Sequence, residues 1–347
     1  MRKYFSKKDS ILFLILGFCL TALIAHIAYV SGGSNTSATS LMSLAVITVS
    51  ATNRKTVGII HALISGLSIG PILPLHVELG IPQKPVNWII RTLYLVSVSL
   101  IVNYFAQYYI KEFEKNHRIE KEISQSNMAT IYALIKLSES RDDETGTHVE
   151  RVSQLCRLLA IKMQGIAKFS DYVTDEYIDN LSKASMLHDI GKVGIPDNIL
   201  LKPGRLTREE FEVIKQHPII GANVLAEIYD MYPNNSFLKL GHSIVRYHHE
   251  KWDGSGYPNG ISQEDIPLSA RIMAIVDVYD ALRSKRIYKT SYDHEHSISI
   301  INEGRGKHFD PDITDIFIDH SQEFKDVYDR VTADPPKVSY LDFDLSS

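Results

Sequence analysis

Long apolar runs free of charge fill the N-terminal third of the chain, separated by short basic clusters. From Ile11 to Asn53 there is no Asp, Glu, Lys or Arg, and from Thr56 to Val77 there is again none. Ile11 to Val30 is 20 residues, enough for a helix to cross a hydrocarbon core of about 30 Å. The stretches 56–75 and 92–110 predict two further crossing helices. Residues 38–52 are short and rich in Ser, Thr and Ala, which suits close helix–helix contact inside a bundle. No convincing small-residue cleavage site follows the first run, so an anchor is expected and not a removed signal peptide.

The basic residues set an orientation. Arg2, Lys3, Lys7 and Lys8 precede the first run, Arg54 and Lys55 follow the second, and Lys111, Lys115, Arg118 and Lys121 follow the last. The positive-inside rule then predicts four spans (11–30, 38–52, 56–75 and 92–110) with both ends of this 1–110 module in the cytoplasm. Three spans would put the rest of the chain outside, against that bias. His26, His61 and His76 make no convincing metal set and read as a polar bundle face. Residues 111–137 contain no Pro or Gly, and Ile119, Ile123, Ile131, Leu134 and Ile135 lie near one helical face. A linker helix is predicted, paired with its copy in a homodimer, although heptads break at Ser126 and Asn127.

Beyond Ser138 the pattern is helical, so the whole chain is expected to be all-α. His148, Val152, Leu155, Cys156, Leu159 and Met163 share one face, and Thr147 with Glu150 predicts a capping box at its start. A second helix starts at Thr174-Asp175-Glu176, carries Tyr177, Leu181, Ala184 and His188 on one face, and is ended by Gly191. Thr207 and Glu210 predict another capping box, on a helix running to His217-Pro218. A helix precedes His248-His249, a Gly-rich loop covers Asp253 to Gly260, and Ala270 to Leu282 presents Asp277 and Asp280 three apart. Arg286 and Lys289 follow. The tail at 326–347, with Pro335-Pro336, Asp342 and Asp344, is expected to be loose.

Composition narrows the chemistry. The net charge of -4, from 37 basic and 41 acidic residues in 347, excludes a polyanion-binding protein, so no nucleic-acid polymer is expected as a partner. Cys19 and Cys156 form neither a metal pattern nor a disulfide framework, which fits a reducing compartment. His188 and Asp189 offer imidazole nitrogen and carboxylate oxygen from one point of the backbone, and His248-His249 adds more nitrogen. A two-metal hydrolytic site asks for that mixture. Burying so many polar groups on apolar faces is costly unless they are paired or metal-bound. Lys192, one turn past His188, places an ammonium beside them.

With these residues assembled, 138–325 resembles the HD-GYP domain, a subgroup of the HD phosphohydrolases associated with hydrolysis of the bacterial messenger cyclic di-GMP. The matching text is Glu144-x3-His148, His188-Asp189-Ile190-Gly191-Lys192, His217-Pro218-x2-Gly221, His248-His249-Glu250 leading to Gly256-Tyr257-Pro258, Asp277-x2-Asp280-Ala281-Leu282, Arg286-x2-Lys289 and Phe309-Asp310-Pro311. The resemblance implies two or three divalent ions, iron or manganese, held by Glu144, His148, His188, Asp189, His217, His248, His249 and Asp277. Glu144 marks the three-ion members. The expected reaction is in-line attack on phosphorus by a water activated between the ions, giving linear pGpG and then GMP. His188, Asp189 and Lys192 would be catalytic, with Arg286, Lys289, Asp280, Tyr257 and Pro258 at the substrate. The Gly256-Tyr257-Pro258 loop either shapes the mouth of the site or contacts a partner such as a diguanylate cyclase domain. The apolar block resembles the small sensor modules of bacterial signalling proteins, which implies the inner membrane with the catalytic domain in the cytoplasm. Arg283 and Ile287 depart from the family's usual Thr and Pro and flank Arg286. His242, His294, His296, His308 and His320 match no ligand position. Two alternatives stay open: another cyclic or linear nucleotide as substrate, or a receptor that binds a cyclic dinucleotide without cutting it.

Overall fold

The computed structural model describes residues 7–141, 147–284 and 291–335. Fourteen α-helices follow one another along them. They are α1 (Lys7–Val30), α2 (Met42–Thr52), α3 (Lys55–Ser68), α4 (Pro85–Glu139), α5 (His148–Gln164), α6 (Asp175–Ser185), α7 (Asp197–Leu200), α8 (Arg208–Ile214), α9 (His217–Met231), α10 (Ser236–Tyr247), α11 (Leu268–Arg283), α12 (His294–Glu303), α13 (Pro311–Asp319) and α14 (Ser321–Ala333). Short 3₁₀ turns stand at Ser37–Leu41, Ile190–Gly194 and Gln263–Asp265. Among the described residues there is no strand, only isolated bridges at His76–Ile81 and Arg305–Phe309. The all-α expectation holds.

The chain divides into two compact units, Met1–Ile123 and Ser124–Ser347. In the first, Ile24, Met42, Val46, Ala62, Ile69 and Leu95 form the apolar centre. Polar contacts run beside it: Thr21 Oγ1 lies 3.1 Å from His61 Nε2 and 3.2 Å from Ser65 Oγ, and Ser50 Oγ donates to Ser99 Oγ at 2.8 Å. Two bonds fix the level of the helix ends. Ser10 Oγ donates to the Thr52 carbonyl at 3.4 Å, and Asn103 Nδ2 donates to the Ser50 and Asn53 carbonyls at 3.0 and 3.1 Å. At the other end, Ser34 N bonds the Pro74 carbonyl and Val77 N the Gly32 carbonyl.

Two of the four predicted spans are long enough to cross a membrane, those within α1 and α4. The others are shorter than the sequence suggested: α2 has 11 residues and α3 has 14, ending at Ser68 and not at Leu75. α4 begins at Pro85, a residue preorganised for a first turn, and continues for 55 residues. The last predicted span and the linker are therefore one helix.

The last four turns of α4 belong to the second unit. Met128, Ile131, Tyr132 and Ile135 pack with Val149, Met186, Leu187, Ala222, Leu225 and Val245. A larger core joins α5, α6, α11, α13 and α14 through Leu155, Leu159, Leu181, Ile275, Phe317 and Phe324. The predicted α5 face is the buried one: His148, Val152, Leu155, Cys156, Leu159 and Met163 are all 2% exposed or less. The predicted Thr147–Glu150 capping box does not form. Thr147 makes no side-chain cap bond, and Glu150 is buried and accepts bonds from the Tyr132 hydroxyl and Lys136 Nζ. That pair ties α4 to α5, and a buried carboxylate gains more from a hydroxyl and an ammonium than from a backbone amide near water. The caps at Thr174 and at Thr207 with Glu210 form as expected.

Candidate metal centre

All but one of the polar groups at the centre stand where a helix begins, ends or turns; Asp277 comes from the middle of α11. His148 opens α5. α6 stops at Ser185, three residues before His188, because Leu187 N and His188 N bond back to Ala184 and Ser185 in tight turns. His188 and Asp189 thus sit in a turn and not on a helix face. Gly191 follows, where a Cβ would come within 2.0 Å of the His217 carbonyl oxygen. Only glycine lets this turn lie against the start of α9, so His217 reaches Asp189. His217 begins α9, where the sequence placed it at the end of the preceding helix; α8 stops at Ile214. His248 is the C-cap of α10, followed directly by His249.

These residues gather into two groups of ligand atoms, each within 4.8 Å of one another: Asp189, His217, His248 and His249 in one, His148, His188 and Asp277 in the other. Asp189 lies between them. Its Oδ1 is 3.1 Å from His217 Nε2 and 3.8 Å from His248 Nε2, whereas its Oδ2 is 3.2 Å from His188 Nε2. His188 Nε2 is also 3.3 Å from His148 Nε2 and 3.9 Å from Asp277 Oδ1.

The histidine tautomers decide what fits here. Nδ1 of His188, His217 and His248 lies 2.9, 2.8 and 3.0 Å from the carbonyls of Ser185, Ile214 and Ile244. His148 Nδ1 lies 2.8 Å from Asp280 Oδ2. A carbonyl or carboxylate oxygen only accepts, so Nδ1 carries the proton and Nε2 keeps its lone pair. Those lone pairs face each other and the Asp189 carboxylate. Asp189 Oδ1, His217 Nε2 and His248 Nε2 are buried without a hydrogen-bond partner. Acceptors turned toward acceptors in a buried space call for a cation, and Nδ1 bonded outward with Nε2 inward is the usual dress of a metal-bound imidazole. The donor set therefore fits divalent ions.

Electrostatics agree. Burial, then the neighbouring histidines, push His248 well below the usual imidazole value and His249 down to about 3, so both stay neutral. Burial alone would raise the Asp189 carboxyl, but Lys192 and His188 outweigh it and hold that group well below the usual carboxylate range. At His188 burial opposes charge, yet the neighbouring Asp189 carboxylate prevails and raises its pKa, which marks the position as one where positive charge is favoured.

Around the ligands, Lys192 Nζ lies 2.9 Å from Asp189 Oδ2. Tyr257 stacks on His249 with ring centroids 4.7 Å apart. The Tyr257–Pro258 bond is cis, and Glu250 accepts from Asn259 N at 2.6 Å and Gly260 N at 3.1 Å, closing the loop. Gly256 permits that closure, because a Cβ there would fall 2.3 Å from Lys251 N. Asp280, expected at the substrate, is 1% exposed and bonded to Arg151 Nε at 2.6 Å and Nη2 at 2.8 Å as well as to His148. It faces a ligand histidine. Arg151 went unnoticed in the sequence; its signal was a lone guanidinium three residues after His148, on the buried side of α5. Glu144, Arg286, Ile287 and Lys289 lie outside the described residues.

The comparisons with known proteins bear on this centre on packed helices. Residues 133–313 match the HD domain family, and the chain belongs to it. A cyclic di-GMP phosphodiesterase of Vibrio cholerae is 46% identical over 205 residues, covering 59% of this chain and 42% of that protein. A cyclic di-GMP phosphodiesterase of Thermotoga maritima is 36% identical over 258 residues, covering 72% and 67%. A 3′3′-cGAMP-specific phosphodiesterase 2 of V. cholerae is 37% identical over 210 residues, covering 60% and 38%. The chain spans 42% of the length of that first V. cholerae relative and 47% of a second, a probable cyclic di-GMP phosphodiesterase of the same organism that is 45% identical over 207 residues.

Proposed function

We propose that the chain is a membrane-anchored, metal-dependent phosphodiesterase that opens cyclic di-GMP to linear pGpG and cuts again to GMP. The observation that carries this is the convergence of seven side chains, four in one group and three in the other, about one shared carboxylate. The substrate class is drawn from the relatives. Iron or manganese held by these residues, with Glu144 adding a third ion, would acidify a water and take up charge on phosphate oxygens. The chain's own part is positioning. Asp189 presents one oxygen to each group and so sets their spacing. Lys192 stands beside Oδ2, where its ammonium reaches a phosphate oxygen as negative charge grows there. Burial of His188, His217 and His248 keeps bulk water away and strengthens every charge contact. The incoming water oxygen bonds phosphorus in line as the bond to the 3′ oxygen breaks. Arg286 and Lys289 are assigned to the phosphates, and Asp280 to holding His148.

The anchoring part has its own support. The apolar windows of α1 and α4 are only 22% and 17% buried, unlike the core helix of a soluble protein. The Ser10–Thr52 and Asn103–Asn53 contacts bring Lys8, Arg54 and Lys55 to the end of the unit from which α4 runs on to Lys111. Exposed Tyr104, Phe105, Tyr108, Tyr109 and Phe113 form an aromatic belt at that end. We read four passes with the basic ends in the cytoplasm, although at 1.5 Å per residue α2 and α3 alone reach roughly 16 and 21 Å of a core of about 30 Å, α2 being continued by the 3₁₀ turn at Ser37–Leu41. Exposed Ile119 and Ile123 on α4 suit pairing with a second copy.

The test uses the full chain, purified anaerobically in detergent and loaded with Fe(II) or Mn(II). Cyclic di-GMP, 3′3′-cGAMP and pGpG are offered. Turnover of cyclic di-GMP with the highest kcat/KM is expected. Metal binding and nucleotide binding without turnover would make the protein a receptor and overturn the proposal.

A further inference from the structure

We propose that Phe211 and Lys215, together with Tyr257, form a purine subsite beside the metal centre that prefers guanine; this rests on the reading of the site as a cyclic dinucleotide phosphodiesterase. Neither Phe211 nor Lys215 is among the ligands or motifs described above.

The rings form a short staircase leading away from the ligands. Tyr257 lies on His249, and Phe211 meets Tyr257 edge-on, with centroids 6.4 Å apart and planes at 78°. Lys215 Nζ stands 5.2 Å from the Phe211 centroid and 5.6 Å from that of Tyr257, and 2.7 Å from Glu212 Oε1. Phe211 is 44% exposed although it stands one ring from a ligand histidine. No residue of α8 is buried, so Phe211 is not a core anchor for that helix. Nor does the loop need it as a brace. Glu250 already closes the loop through Asn259 and Gly260, and Tyr257 N bonds the His249 carbonyl at 3.2 Å.

A half-exposed aromatic ring with an ammonium over it, next to a phosphodiester-cutting centre, suits the group that a nucleotide carries next to its phosphate, which is the base. Stacking on Phe211 is blind to base identity, because every base has a π-face. Lys215 supplies the discrimination. Guanine shows two adjacent acceptors, O6 and N7, to a cation, whereas adenine shows N7 beside a donor amine. An ammonium held over the two rings by Glu212 therefore favours guanine.

The experiment measures kcat and KM for cyclic di-GMP and 3′3′-cGAMP with the full, metal-loaded chain and with Phe211→Ala, Phe211→Trp and Lys215→Met, alongside metal content. Phe211→Ala should raise KM for cyclic di-GMP about tenfold or more, with the loss in KM and not in kcat, and Phe211→Trp should restore it. Lys215→Met should narrow the ratio of kcat/KM between cyclic di-GMP and 3′3′-cGAMP several-fold. A loss that falls on kcat with reduced metal content, or no rescue by Trp, would reduce Phe211 to a loop brace and overturn the subsite. If the wild type cleaves bis(p-nitrophenyl) phosphate but not cyclic di-GMP, the proposed function fails instead. Inhibition of that cleavage by GMP then tests the subsite alone: inhibition unchanged in Phe211→Ala overturns it, and inhibition weakened about tenfold supports it.

Discussion

The two ligand groups are built differently. His217 and His248 lean on backbone carbonyls, which belong to the helices themselves and cannot be removed by a side-chain change. In the other group His188 leans on a carbonyl too, but His148 leans on Asp280, which leans on Arg151, so that group depends in part on a buried charge pair. His217 and His248 are therefore as durable as the ends of α8 and α10, which supply those carbonyls. The second group can be detuned by one carboxylate that no ion touches. Asp189 belongs to the first group and reaches His188 of the second through Oδ2, and the difference between the groups shows once it is left intact.

Removing the shared carboxylate should erase the contrast. Asp189→Ala is expected to lose metal from both groups and hydrolysis by at least about 10³-fold, while the helices hold, since Asp189 carries no apolar packing. Metal analysis and turnover measured together check this, with circular dichroism as the control for folding. More than a trace of wild-type turnover in the purified variant would contradict the arrangement.

Lys192 probes one side of the same carboxylate, because its Nζ lies 2.9 Å from Oδ2. Lys192→Ala should keep the metal and lower kcat about 10²-fold, the usual cost of deleting one donor aimed at developing charge. A change confined to KM would mean that it binds substrate and does not serve the chemistry.

The candidate ligands that come together were legible in the sequence because their types are rare on apolar faces and at helix ends. His148, His188 and Asp277 do meet, as do Asp189, His217, His248 and His249. What the pattern missed was where helices stop. A 3.6-residue period carries His188 onto the face of Tyr177 and Leu181, but tight turns after Ser185 end α6 earlier, and nothing in apolar spacing announces them. Glu150 fits a capping box by position, yet its partner is Tyr132, 18 residues back, and local spacing does not report tertiary partners. Asp280 reads as a second acid on a functional face for the same reason, since Arg151 is 129 positions away. In the N-terminal unit the apolar runs located the helices and missed their lengths, because α3 ends within an uncharged stretch.

Asp280 gives a direct test of the asymmetry between the groups. Asp280→Asn keeps the shape but leaves Arg151, 2% exposed, without its counter-charge. Breaking a buried pair from one side costs about 3–5 kcal/mol, so thermal unfolding of the variant should shift down by several degrees. Asn can still accept from His148 through its carbonyl oxygen, though more weakly than a carboxylate. Affinity at the His148 group should therefore fall about 10–100-fold, with the His217 group still loaded. Metal titration followed by calorimetry would resolve two phases where the wild type shows tighter filling, and equal loss at both groups would sink the distinction. Glu250→Gln is the mildest of the series. It keeps one acceptor for Asn259 and Gly260, so stability should drop by about 1 kcal/mol, with metal retained and a few-fold rise in KM as the Tyr257 loop loosens beside His249. A KM that did not move would show that the loop's position over the durable group is fixed by the stacked rings alone.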